Sequence, residues 1–418
     1  MKFLHNKPCS LLEDLVHEEL IRQQEGLEMI ASENYTSLAI MSLQGSILTN
    51  KYAEGLPQKR YYGGCHVVDK IEQLAIDWAC ELFKCQYANV QPHSGSSANL
   101  AAYFSLLSPG ETFLGMDLSQ GGHLTHGHKA NFSGKFYNCL SYGLNVETET
   151  LDYDQVRDLA KSKRPKMILV GASAYPRTID FSLFGEIAKE VEATLFADVA
   201  HISGLIAAEM HPSPFPYAEV VSTTTHKTLR GPRAGLLLTN NPERIKSLNS
   251  FVFPGIQGGP LEHVIAAKAQ CFHEALQPEF KEYIKQVLKN CKALAEELLN
   301  QGLDLVSGGT DNHLLLVKLT KTNFTGKQAE YFLEQGGITC NKNMIPQDPR
   351  SPMVTSGIRL GTAALTTRGM KEEEMREIAR RIGKILRLSP EDPSLSSILT
   401  QCQKFSRQLC EKYPIYDV

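Results

Sequence analysis

The chain has 418 residues, 42% hydrophobic and 21% charged, and its 31 Gly and 20 Pro follow no period, which excludes a disordered or collagen-like chain. Forty-three basic against 46 acidic residues give a net charge of −3, so no positive excess exists to hold nucleic acid or anionic lipid. No apolar run approaches the ~18 residues of a membrane-spanning helix.

The start, MKFLHNKPCSLLEDLVHEEL, turns acidic before a signal-like core forms, so a cytoplasmic location is expected. Residues 1–60 are helical at first and then Gly-punctuated, which suits an N-terminal arm. In the next helix, Val67, Ile71, Leu74, Trp78 and Leu82 recur at spacings of three and four, which predicts one buried stripe. Four compact apolar runs follow, MILV (167–170), TLFA (194–197), AEVVS (218–222) and GLLLT (235–239), with helical patterns between the earlier ones. Continuous apolar strands belong to a mostly parallel mixed sheet covered by helices on both faces, and the short spacing over 218–239 predicts one antiparallel neighbour. That α/β unit is read as 61–275. A smaller α+β unit, 276–418, opens on a long amphipathic helix with Phe280, Ile284, Val287, Cys291, Leu294 and Leu298 on one face. A strand, LLLVKL (314–319), and two closing helices follow, the first carrying Ile378, Ile382 and Ile385.

Three motifs carry chemistry. In VVSTTTHKTLRGPR (220–233) a strand runs through hydroxyl residues into Lys227 and a Gly-Pro break. A lysine held at a strand end among polar and basic groups can have a depressed pKa and act as an amine nucleophile, although a lone lysine after an edge strand is more often simply solvated. Asp198 ends the strand TLFAD, where a carboxylate can pair with a protonated pyridine nitrogen or cap the next turn. Gln91-Pro92-His93-Ser94-Gly95-Ser96-Ser97-Ala98-Asn99 opens the helix LAAYFSLL, and free backbone N–H groups there form an anion cradle suited to phosphate. Cradle, Asp and Lys in that chain order fit a pyridoxal 5′-phosphate (PLP) enzyme of the aspartate-aminotransferase fold type, with His201 able to lie flat over the ring. The segment His123-Leu124-Thr125-His126-Gly127-His128 offers three histidines, but with no neighbouring Cys or carboxylate in sequence it reads as a loop, and no metal is expected. Ten cysteines without a CxxC read as reduced thiols, and Cys80 and Cys85 as core or flank rather than a redox pair.

Longer motifs make the pattern recognisable. Glu28-Met29-Ile30-Ala31-Ser32-Glu33-Asn34-Tyr35, Asn50-Lys51-Tyr52-Ala53-Glu54-Gly55, Lys59-Arg60-Tyr61-Tyr62-Gly63-Gly64, the Thr225-His226-Lys227 segment and Ser356-Gly357-Ile358-Arg359 resemble serine hydroxymethyltransferase, from about residue 10 to 416. The resemblance implies that Lys227 forms the Schiff base with PLP, with His226 and Thr224 beside it, and that Asp198 is the pyridine partner. It makes His123 the ring-stacking histidine in place of His201, which moves to the cofactor's oxygen and the substrate carboxylate. Ser94, Gly95 and Ser96 become the phosphate cradle, with Gly258 and Gly259 reaching it from a partner subunit, and Ser173 and Arg233 further pocket groups. Arg359 and Ser32 hold the amino-acid substrate. Tyr52, Glu54 and Tyr62 act across a homodimer interface, Glu54 as the proton-handling carboxylate. Tetrahydrofolate packs on Leu118, Gly122, His123, Leu124, Asn343, Ser351, Pro352 and Met353.

The reaction so implied is transfer of serine's hydroxymethyl group to tetrahydrofolate, giving glycine. Residues 61–275 then form the PLP-binding domain, with no nucleic-acid or membrane partner. Gln120, Met344, Met353 and Leu38 depart from the family pattern, and the first three are expected around the folate mouth. The competing readings are a folate-independent PLP aldolase for β-hydroxy amino acids such as threonine, against which the full-length folate-side motifs speak, and a non-catalytic RNA-binding regulator, against which the net charge and the Lys227/Asp198/Arg359 set speak.

Overall fold

In the computed structural model, which describes residues 7–416, the compact apolar runs become the middle of one seven-stranded sheet. The charged start at residues 1–6, part of the targeting reading, lies outside the described residues. The strands are β1 (Tyr87–Asn89), β2 (Thr112–Met116), β3 (Asn138–Tyr142), β4 (Met167–Val170), β5 (Thr194–Asp198), β6 (Val220–Thr224) and β7 (Gly235–Thr239), in spatial order β1-β7-β6-β5-β4-β2-β3. The pairs from β6 to β3 are parallel, and β7 runs antiparallel to both β6 and β1, as the short connection required.

Side chains alternate along these strands, and both faces are buried. Phe113, Met167, Leu169, Phe196, Val220 and Leu237 pack into one core, while Leu114, Ile168, Val170, Leu195, Val221 and Leu238 pack into another on the opposite face. The protein is thus α/β, with helices covering both faces of a mostly parallel sheet. No helix among the described residues is long and apolar enough to cross a membrane.

A second sheet comprises β8 (Asp304–Leu305), β9 (Leu314–Lys318), β10 (Asn341–Asn343) and β11 (Gly357–Gly361), in the order β8-β9-β11-β10 and antiparallel throughout. The sequence reading found only β9 of these. Strand β11 is hidden by glycines at both ends, which lower strand propensity but are required by packing. A Cβ on Gly361 would come within 2.5 Å of the Ala31 Cα, because the segment leading into Ser32 lies against the strand there. The N-terminal segment therefore belongs partly to this sheet's core, where Leu27 and Met29 are fully buried.

Helix α1 (Ser10–Glu25) buries none of its residues, and helix α2 (His66–Phe83) corrects the predicted stripe. Val67 and Leu74 are exposed, and the buried line is Val68, Glu72, Ala75, Ala79, Leu82 and Phe83. The phase is set by small side chains that allow close approach of a neighbouring helix, and by Arg60, whose guanidinium donates to Glu72 at 2.6 Å and holds that carboxylate inside. Helix α3 (Gly95–Leu106) starts at Ser94, whose hydroxyl accepts from Ser97 N–H as an N-cap. Helix α4 (Glu262–Ala275) packs on α2, and helix α5 (Pro278–Asn300) buries its apolar face along its whole length.

Helix α5 joins two cores. Phe280, Ile284 and Val287 pack with the large sheet, whereas Cys291, Leu294 and Leu298 pack with the small one. Ile284→Ala and Leu294→Ala are each expected to lower stability by about 2–5 kcal/mol, and Leu299→Ala, on the exposed side, by under about 0.5 kcal/mol. Denaturant titration of the three variants checks this, and an equal loss at Leu299 would mean the buried face is misassigned.

Candidate active site

A cavity of about 370 Å³ opens at the carboxyl ends of the parallel strands, where α/β sheets place their ligands. The chain beyond β1 gives it Ser94, Gly95 and Ser96, that beyond β4 Ser173, and β5 gives Asp198 with His201 just after it. Strand β6 contributes Thr224, followed by His226, Lys227 and Arg233. Arg359 comes from β11 of the small sheet, Ser32 from the N-terminal segment, and His123 from the loop after β2.

The cradle is neutral and unsatisfied. Among the described residues no group accepts from the N–H of Gly95 or Ser96, at the start of a twelve-residue helix. Gly95 has no space for a side chain, since a Cβ would lie 2.6 Å from Thr224 Cγ2.

Asp198 is buried and tightly held. Its Oδ2 accepts from Asn99 Nδ2 at 2.8 Å and lies 3.2 Å from His126 Nε2, and its Oδ1 accepts from Ala200 N–H at 3.1 Å. Burial alone would raise this carboxyl, but the hydrogen bonds it accepts, first from His126 and then from Asn99, hold it below the usual carboxylate range. The Ala200 bond shows that the turn-capping reading and the buried-anion reading are both satisfied by the same side chain. The sequence argument that the histidines lack a nearby carboxylate is corrected here, since His123, His126 and Asp198 bring their ligand atoms within 4.8 Å. Both nitrogens of His126 are already engaged, Nδ1 accepting from His123 N–H.

Lys227 is pushed down to about 8, chiefly by burial, with the charges of Arg359 and Arg233 adding and that of Asp198 opposing. Its loop is fixed by Asn34, whose Nδ2 donates to the Lys227 carbonyl at 2.9 Å, and by Arg230 N–H to the same oxygen. Burial lowers His226 to about 3 and His123 to about 4, so both rings are neutral at pH 7. Arg359 donates to Ser173 O at 2.6 Å and Asn341 Oδ1 at 3.1 Å, and its Nη2 makes no hydrogen bond among the described residues.

Other predicted residues lie elsewhere. Tyr52 donates to Glu54 Oε1 at 3.1 Å and meets Tyr62 edge-on with ring centroids 5.1 Å apart. Gly258 and Gly259 pack against this pair, and none of the five lines the Lys227 cavity. Leu118, Leu124 and Met353 are exposed, and of the expected folate residues only His123 reaches the cavity. Gln120 lies away from the Lys227 cavity and lines a separate one with Leu144, Ile345 and Pro346. Its Oε1 accepts from Leu144 N–H at 2.7 Å and its amide lies against Gly143, because that turn leaves a backbone donor unpaired.

Sequence reasoning assigned no role to Asn99, which holds both Asp198 and Ser222, or to His313. His313 is fully buried, with Nε2 3.4 Å from His201 Nδ1. Asn99 stood within the quoted cradle motif, but nothing local marked His313.

The sheet, with its strand-end lysine and buried carboxylate, defines an α/β transferase of the PLP-dependent fold type. The family model described as serine hydroxymethyltransferase matches residues 8–382. A serine hydroxymethyltransferase of Nostoc punctiforme is 58% identical over 404 residues, covering 96% of this chain and 93% of its own. One from Prochlorococcus marinus strain MIT 9301 is 56% identical over 407 residues, covering 97% and 95%. The chain belongs to the serine hydroxymethyltransferase family, and it is an enzyme.

The lowered amine has a direct readout. In the protein without cofactor, acylation of Lys227 by an amine reagent is expected to follow an apparent pKa of about 8, against about 10.5 for solvated lysines. Asp198→Asn should lower that value further, because it removes the anion that favours the ammonium form. Peptide mass spectrometry across pH checks both, and a Lys227 profile like that of surface lysines would exclude an activated amine.

Proposed function

We propose that the protein performs reversible, PLP-dependent transfer of the serine hydroxymethyl group to tetrahydrofolate, giving glycine and 5,10-methylenetetrahydrofolate. The observation that carries this reading is one cavity holding a neutral anion cradle, a carboxylate kept negative and a lysine amine near 8, in a chain of this family.

The residues fit PLP. Ser94, Gly95 and Ser96 would hold its phosphate, Gly95 and Ser96 with free N–H groups at a helix N-terminus and Ser94 with its side chain beside them. Lys227 would hold it covalently through the amine, and Asp198 would keep a proton on its ring nitrogen. His123, neutral by burial, suits the face of a ring, and Arg233 and Ser173 complete the wall. PLP, when bound, supplies an electron sink for the carbanion that cleavage of serine's Cα–Cβ bond leaves behind.

The chain's own groups supply the rest of the chemistry. Arg359, with Nη2 uncommitted, presents a planar donor to the substrate carboxylate, with Ser32 and His201 beside it. Lys227 becomes a usable base or nucleophile just above neutral pH. Glu54 would move the proton between the hydroxymethyl oxygen and folate, from a second chain. That homodimer reading is supported by the Tyr52, Glu54, Tyr62, Gly258 and Gly259 cluster lying outside the cavity, and by the exposed Val67 and Leu74 of α2. We assign residues 1–60 to an arm, 61–275 to the PLP-binding domain and 276–418 to the small domain. Folate would lie over Leu118, Gly122, His123, Leu124, Asn343, Ser351, Pro352 and Met353. Met353, at 75% exposure, is the departure positioned to alter folate affinity, whereas Gln120 is committed to the 143–144 turn.

Lys227→Ala should lose the borohydride-reducible PLP adduct, and Asp198→Asn should keep PLP but lose turnover by about two orders of magnitude. Mixing inactive Lys227→Ala and Glu54→Gln chains should restore activity, because each mixed dimer keeps one complete site. Pyridoxyl label on another lysine would overturn the first assignment, and the absence of complementation on mixing would overturn the shared site.

A further inference from the structure

One buried cation has no part in the chemistry above. Lys268, in the middle of α4, is 1% exposed. Its ammonium donates to three main-chain carbonyls, Val90 O at 2.5 Å, Gly235 O at 2.8 Å and Pro92 O at 3.0 Å. The acidic side chain whose charge it feels, Glu72, is bound instead to Arg60 and Gln91. An ammonium removed from water without an ion pair is a costly element to keep in a core.

Its position gives the cost a purpose. Val90 and Pro92 follow β1 on the way to Ser94, two residues further on, and Gly235 begins the antiparallel strand β7. The Gly235 backbone supports the cradle so closely that a Cβ there would overlap the Ser94 carbonyl oxygen and lie 3.1 Å from Gly95 N. A single layer of main chain thus separates a buried positive charge from the cradle, whose own three residues carry no charge. Ser94 and Ser96 open to solvent, but the stretch between the ammonium and the cradle is protein and not water, so the charge acts on an anion there with less screening than it would between two solvated groups.

We propose that Lys268 is the buried counter-charge and positioning residue of the phosphate cradle, favouring the phosphate of PLP and not its ring. This rests on the PLP reading above.

The test compares pyridoxal 5′-phosphate with pyridoxal, which lacks the phosphate, by equilibrium binding to the cofactor-free protein. Lys268→Gln keeps two amide donors for the carbonyls and removes the charge, and Lys268→Met removes both. Both variants should lose about tenfold or more in affinity for the phosphorylated ligand and under about twofold for pyridoxal. Equal losses for the two ligands, or full retention in Lys268→Gln, would show that Lys268 only ties strands together.

The unsubstituted protein gives a second measure that does not depend on either variant folding. Burial lowers Lys268 to about 7, against Glu72 on α2, and His93 beside the cradle is lowered by burial and by the Lys268 charge. Titration of Lys227 affects both ligands alike and cancels in the ratio of their affinities, and phosphate is already dianionic above its second pKa of about 6. The preference for the phosphorylated ligand should therefore fall as pH rises above 7, and a flat ratio would overturn the proposal. If the unsubstituted protein bound neither ligand, the PLP reading itself would fail, a result distinct from either of these.

Discussion

A carboxylate held negative away from water is the constraint around which the site is arranged. Asp198 needs compensation at each oxygen, and the structure provides it from separate elements: Asn99 on α3, His126 on the loop after β2, and the Ala200 backbone just past β5. Asn99 in turn accepts from Ser222 on β6. Strands β5 and β6, the cradle helix and the histidine loop therefore meet through one buried anion. A network of this kind is stabilising only when every member is satisfied, so a small displacement of one element leaves a charge unpaired. The same anion supports the protonated state of Lys227, opposing burial and the two arginines, and its loss would be felt at the amine.

Legibility in the sequence follows what each feature needs from its surroundings. The strands MILV, TLFAD and GLLLT were readable because both of their faces are buried, so apolar continuity is a local property. The phase of α2 was not. Its apolar residues at 67 and 74 point outward, because a distant arginine brings Glu72 into the interior and alanines form the close contact. Strand β11 was invisible for a related reason, its terminal glycines reflecting close contact with sequence-distant segments of the same chain, Ala31 at Gly361 and Val317 at Gly357, that no local pattern encodes. Leu38 departs from the family pattern, which has proline there. It sits at the first position of the helix Leu38–Gln44, where proline is favoured only for its fixed φ and its missing donor, so leucine substitutes without loss of a bond.

The site shows the same division. Asp198, Lys227 and the Ser94–Ser96 cradle are each marked by position, at a strand end or helix start, and the structure brings all of them to one cavity. The contact of Gln120 was not legible, because a motif gives a residue's place in the chain and not its rotamer, which here is decided by the Leu144 N–H. The carboxylate missing from the histidine motif comes from a different strand, 72 residues beyond His126. Lys268 carries no local signal at all, since a lysine on a mostly apolar helix reads as a solvated one until its three carbonyl partners are known.

Glu54, which the shared-site proposal assigns to a neighbouring subunit's chemistry, has a well-defined setting in its own chain. It directly precedes a tight hairpin, Gly55–Leu56 paired with Lys59–Arg60, in which Gly55, at φ +103°, has no room for a side chain because a Cβ would overlap the Lys59 carbonyl. Arg60 then donates to Ala53 O at 2.8 Å and Gly55 O at 3.0 Å, the carbonyls on either side of Glu54, while Asp69 and Glu72 fix the guanidinium. A mobile loop could fold back onto its own cavity. This one is anchored on both sides by a buried ion-pair network, with Tyr52 and Tyr62 exposed around the carboxylate. Glu54 lies outside its own Lys227 cavity, and on the shared-site proposal made above a carboxylate anchored in this way would suit delivery of a proton to a neighbouring subunit's site.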